Sequence, residues 1–72
     1  MNSTLPDHSI IRLKALTQLT GLSRSTIYEK QNHRSSRYDP TFPQKIHLGA
    51  RAVGWFKWEI ESWLQSVRKA SL

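Results

Sequence analysis

The side chains best suited to chemistry sit in one run, Ser23-Arg24-Ser25-Thr26-Ile27-Tyr28-Glu29-Lys30. A guanidinium can grip a phosphate oxygen, and it can also address guanine O6 and N7 as a pair. Hydroxyls near a helix start donate to the same anions that free backbone amides attract. Read as a helix, the run turns Ile27 inward and Ser25, Tyr28 and Glu29 outward, with Arg24 at the margin. Arg24 is therefore the candidate base reader; the plainer alternative is a phosphate contact or a surface ion pair. Ser25 and Thr26 are candidate phosphate donors, and Thr26 is equally a support for the first turn. Tyr28 either donates its phenol to phosphate or packs half-buried. Lys30 is either a phosphate contact or a solvated cation.

More cations follow the run. Arg34 and Arg37 fall in a turn-rich stretch, where they add phosphate contacts or stay mobile. Lys45 and His47 alternate along a short extended segment, and Arg51 stands at a turn beyond it. Arg51 is expected to reach a minor groove or its phosphates, unless it is only a surface turn residue. The candidate DNA-binding set is thus Arg24, Ser25, Thr26, Tyr28, Lys30, Arg34, Arg37, Lys45, His47 and Arg51. The charge distribution agrees: of a formal net charge of +6, residues 21–51 hold +4. A basic excess draws polyanions, nucleic acid above all, although a solvated basic face kept for solubility is the alternative on charge alone.

Catalytic and metal chemistry find no footing. There is no cysteine, hence no disulfide, thiol nucleophile or Cys-type zinc finger. His8, His33 and His47 fall in a tail, a loop and a strand. Glu59 and Glu61 are two apart on a helix and cannot face one substrate. Gly21, Gly49 and Gly54 are isolated and form no phosphate-cradling loop. No enzyme activity, metal, cofactor or small-molecule substrate is expected. No apolar stretch is long enough to cross a membrane, and Met1 to Ser9 lacks a secretory pattern, so a cytoplasmic, nucleoid-associated location is expected.

At 72 residues the chain has room for one small domain with a thin stability margin. Leu13, Leu16 and Leu19 recur every three residues, which predicts a short helix over 12–20 with Ile10 and Ile11 as an extended lead-in. Gly21 is a natural helix stop, and Ser23 is a favoured N-cap for a second helix from Arg24 to about Gln31. Helix, short turn and helix make a helix-turn-helix, which presents its second helix to a major groove. Thr17 stands where the commonest form of the motif has a small Ala. Asn32 to Thr41 reads as a loop.

Ile46 and Leu48 then alternate with Lys45 and His47, and Val53 and Trp55 return after a turn over Gly49–Ala52. A two- or four-residue loop would put Leu48, Val53 and Trp55 on one core-facing side, with Lys45 and His47 facing solvent. From Phe56 the period becomes helical: Phe56, Ile60, Trp63, Leu64 and Val67 form one stripe, and Trp58 points away from it. The predicted fold is mainly α with a small β-hairpin, a compact winged helix-turn-helix over residues 10–68 between tails at 1–9 and 69–72. Its predicted core is Leu16, Leu19, Leu22, Ile27, Phe42, Ile46, Leu48, Val53, Trp55, Ile60, Trp63 and Leu64.

Three runs carry a family resemblance: Thr20-Gly21-Leu22-Ser23-Arg24-Ser25-Thr26-Ile27-Tyr28; Phe42-Pro43-Gln44-Lys45-Ile46-His47-Leu48-Gly49; and Arg51-Ala52-Val53-Gly54-Trp55 followed by Glu59-Ile60-Glu61-Ser62-Trp63-Leu64. In that order and spacing, over about residues 10–66, the chain resembles the AlpA family of short prophage regulators, which belongs with the excisionase-like and MerR-like winged-helix proteins. The resemblance implies a DNA-binding transcription regulator of phage or mobile-island genes, often acting on an integrase gene or assisting excision. Two features depart from it: the Asn32–Thr41 loop is longer than in the shortest members, and Phe56 and Trp58 replace smaller polar residues.

The expected function is sequence-specific recognition of double-stranded DNA, with residues 24–31 in the major groove and the wing, about 44–55, on the adjacent minor groove. Further copies of the chain on repeated sites, and an integrase or recombinase, are the expected protein partners. An excisionase-like factor that bends DNA for an integrase is the alternative within that class. A module whose basic face binds an acidic protein is the alternative outside it.

Overall fold

The computed structural model describes residues 9–71. The tail expected at 1–9 lies outside them except for Ser9, whose carbonyl accepts from the Lys57 amide at 2.9 Å. The elements are β1 (Ile10–Ile11), α1 (Leu13–Thr20), α2 (Arg24–Gln31), β2 (Ile46–His47), β3 (Val53–Phe56) and α3 (Lys57–Ala70). Three helices and a small antiparallel sheet make the winged helix-turn-helix that the sequence predicts.

The turn between α1 and α2 forms for the reasons its residues suggest. Gly21 takes φ 76°, the left-handed region open to glycine, and its amide caps α1 on the Thr17 carbonyl at 2.8 Å. The Thr17 hydroxyl turns back onto the carbonyl of Lys14 at 2.6 Å. Ser23 starts α2 by accepting the Thr26 amide at 3.1 Å. Ile27, fully buried, seats α2 on the core with Leu16, Phe42, Trp55, Ile60 and Trp63, while Ile11, Leu13, Leu22, Val53 and Leu64 pack around them. Phe42 meets Trp63 edge-on at 4.9 Å between ring centroids. The indole N–H of Trp55 is buried without a protein acceptor among the described residues.

The sheet corrects the sequence reading in three ways. It has three strands in the order β1-β3-β2, because the Ile10–Ile11 lead-in pairs with Phe56 and Trp55. Phe56 ends β3 instead of opening the last helix. The parity of the hairpin is also reversed. His47 pairs with Val53 and Ile46 with Gly54, and the Leu48 amide reaches the Ala52 carbonyl at 2.7 Å. The connection is therefore the odd-numbered Gly49-Ala50-Arg51, and one residue of register swaps the faces of a strand.

Val53 and Trp55 still face the helices, but His47 shares their side, at the exposed edge, and is not on the opposite, solvent side. Ile46 and Leu48 lie on the outer face with Ile10 and Phe56, so Leu48 is exposed and not core. Leu19 and Val67, at the ends of their stripes, are exposed as well. Gly54 makes this outer face possible: a Cβ there would fall 2.5 Å from the Ile10 side chain and 3.1 Å from the Ile11 carbonyl oxygen.

Candidate nucleic-acid interface

Burying Ile27 fixes the rotation of α2. Arg24, Ser25 and Tyr28 consequently lie on its exposed side, Tyr28 with 53% of its surface open. Thr26 is half-buried, and its hydroxyl accepts from Ser23 at 3.0 Å while its amide donates to the same serine. Thr26 thus completes the cap of the first turn. The outward face of α2 is not roofed by α3, whose main packing is against β3.

The last turn of α2 is built differently. Its two charged residues are both engaged: Glu29 Oε1 lies 3.6 Å from Arg37 Nη1, and Lys30 Nζ lies 3.6 Å from Asp39 Oδ2 and 5.5 Å from the centre of the Trp63 ring. The second contact is part of a fixed cluster. Asp39 Oδ1 accepts the Thr41 hydroxyl at 2.6 Å and the Thr41 amide at 2.9 Å. Thr41 Oγ1 in turn accepts the Trp63 indole N–H at 3.3 Å. The Asp39 amide donates to the Lys30 carbonyl at 3.0 Å, and the Gln31 side-chain amide donates to the Pro43 carbonyl at 3.2 Å. The Thr41 hydroxyl is the largest influence holding the Asp39 carboxyl below its usual range; the Thr41 amide and the Lys30 ammonium act the same way, against partial burial.

The segment after α2 is a chain of hydrogen-bonded turns. Ser35 donates to the Asn32 carbonyl at 2.9 Å and Tyr38 to that of Ser35 at 3.1 Å, and His33 packs on Tyr38 at 4.6 Å. Arg34 stays exposed on these turns, while Arg37 folds back to Glu29. On the hairpin, Lys45, His47 and Arg51 are exposed. Arg24, Arg34, Lys45 and Arg51 therefore pair with no carboxylate among the described residues, whereas Lys30 and Arg37 do.

The structure brings Arg24, Ser25, Thr26 and Tyr28 onto one short helix and Lys45, His47 and Arg51 onto the hairpin. It joins Lys30 to the loop instead of leaving it free. The sequence reading missed Asp39, Thr41 and Trp63 as the residues that hold this end of α2. Only the Asx-turn spacing of Asp39 and Thr41 hinted at them. Among the described residues no His, Cys, Asp or Glu group of three or more gathers to hold a metal, and no helix is long and apolar enough to cross a membrane.

Residues 9–69 match the family described as prophage CP4-57 regulatory protein (AlpA). The chain is 53% identical over 55 residues to the DNA-binding transcriptional activator AlpA of Escherichia coli (strain K12), covering 76% of this chain and 79% of the relative. It is 35% identical over 63 residues to the uncharacterized protein ORF88 of Enterobacteria phage P4, covering 83% of this chain and 65% of that protein. No solved structure matches.

Proposed function

Because this chain belongs to the AlpA family of prophage regulators, we propose that it is a sequence-specific, double-stranded-DNA-binding transcription regulator of phage or mobile-island genes. The observation that carries this reading is the open outward face at the start of α2, where Arg24, Ser25 and Tyr28 are exposed, together with exposed Lys45 and Arg51 on the hairpin and Arg34 in the loop, none of which meets a carboxylate among the described residues. In this reading α2 enters the major groove. Arg24 addresses a guanine edge, and Ser25 and the first-turn amides hold a phosphate. Arg51 reaches the adjacent minor groove, and Lys45 and Arg34 add backbone contacts that supply affinity without sequence information.

The protein's task is recognition, not catalysis, and it acts on the nucleoid in the bacterial cytoplasm. One short helix and one short wing cover few base pairs, so several copies act together on repeated sites. The name of the Escherichia coli relative, a transcriptional activator, supports promoter control over an architectural role in excision.

The test is a titration of labelled duplex against salt. Binding should weaken with a log–log slope of about 0.9 per phosphate contacted. Arg24→Ala should lose discrimination between the target promoter and random DNA. Binding that ignores salt would instead favour a protein partner.

A further inference from the structure

The last turn of a helix laid in a groove is flanked by phosphates, and a free lysine there would add the same attraction at every sequence. Lys30 occupies that position, yet its side chain is only 22% exposed and its ammonium faces Asp39 and the Trp63 ring. Exposed ion pairs are usually weak, because two flexible side chains must be ordered to form them. Here one partner is already ordered. Two hydrogen bonds from Thr41 fix Asp39 Oδ1 and leave Oδ2 aimed at the ammonium. The Asp39 amide ties the two backbones together through the Lys30 carbonyl, and Trp63 donates to Thr41 from behind. The carboxylate therefore cannot swing away without breaking the Asp39–Thr41 turn in the loop between α2 and β2.

We propose that Asp39 is a positioning residue that withholds the Lys30 ammonium from phosphate, and thereby sets the ratio of specific to non-specific DNA affinity. This rests on the DNA-binding reading above. Lys30 is then no part of the phosphate-contacting set, although its place on the recognition helix suggests it. The local charge is left to Arg24, whose guanidinium can discriminate bases, and not to a point charge that cannot. An acidic residue beside a DNA-binding helix is in this way an aid to specificity.

The experiment measures the salt dependence of binding to a labelled random-sequence duplex by fluorescence anisotropy, for the wild-type protein, Lys30→Gln, Asp39→Asn and the double variant. Lys30→Gln should leave the wild-type slope unchanged. Asp39→Asn should steepen it by about 0.9, the increment for one added phosphate contact, and tighten random-DNA binding several-fold. Adding Lys30→Gln to Asp39→Asn should remove that increment. The inference is overturned if Lys30→Gln alone lowers the slope by about 0.9, if Asp39→Asn leaves the slope unchanged, or if the steeper slope survives in the double variant. That last result would mean the lost negative charge acts at a distance and not through Lys30. Should Asp39→Asn fail to fold by circular dichroism, Asp39→Ser, whose hydroxyl can still accept the Thr41 amide, takes its place with the same expected slopes. A wild-type protein with no salt-dependent duplex binding defeats the DNA-binding reading itself, and this inference with it.

Discussion

The two ends of α2 are eight residues of one helix put to opposite uses. At the first turn, Ser23 and Thr26 satisfy the backbone while Arg24 and Ser25 face outward with no side-chain partner among the described residues. At the last turn, Glu29 and Lys30 are taken by Arg37 and Asp39, and the helix is bound through Asp39, Thr41 and Trp63 to the rest of the fold. A helix so short has little stability of its own, so something must hold it. Ile27 alone would fix its depth but leave it free to pivot. The contacts at its far end supply the second anchor, which lets the near end stay uncovered. Anchoring and exposure are thus separated along one element.

The contrast can be broken most severely from the anchored side. Trp63→Ala removes a buried ring that packs on Phe42 and beneath Lys30, and should cost about 3–5 kcal/mol. That is comparable with the whole stability such a small core supplies. Thermal melting should show loss of the cooperative transition, whereas Arg24→Ala should melt within about 0.5 kcal/mol of the parent. The exposed end is broken by binding instead. Arg24→Ala should weaken binding to the target site by about 1–3 kcal/mol while leaving random-DNA affinity much less changed; equal losses on both would contradict its base-reading role. Ser23→Ala bears on both ends: losing the cap should lower stability by about 1 kcal/mol in urea denaturation, with the helix start fraying first.

The smallest effect is expected from acid. The Asp39 carboxyl is depressed in the folded chain, chiefly by the Thr41 hydroxyl. Its contribution is therefore complete above the unfolded value near 3.9 and is lost as pH falls through the folded one. Urea midpoints measured from about pH 6 downward should decline less steeply below pH 4 for Asp39→Asn than for the parent protein. Identical declines would show that Asp39 does not carry this linkage.

How much of this the sequence disclosed follows from the range of the interactions. Gly21, Ser23 and Ile27 act within one or two turns, and their types and spacing give the helix-turn-helix, both boundaries of α2 and its buried side. The hairpin failed at a single residue. Leu48-Gly49-Ala50-Arg51-Ala52 accepts loops of two, three or four residues, and only the pairing of Ile46 with Gly54 selects among them. That choice depends on Ile10 crossing over Gly54, a contact between segments far apart in the chain. The link between Lys30 and Asp39 was hidden for a related reason. It joins a helix to an aperiodic loop, where no repeat marks which carboxylate will meet which cation. Arg24 and Arg51 were legible as candidates because exposed charge at a helix start or a turn needs no partner to be recognised.

The most direct test of the central claim, that the start of α2 and the hairpin tip meet DNA, is an amide and indole NMR titration of the labelled protein with a short duplex at low salt. The account predicts shifts concentrated at Arg24 to Tyr28 and at Arg51, with the Trp58 indole and Glu61 on α3 unmoved. Shifts confined to α3, with Arg24 to Tyr28 unchanged, would contradict it.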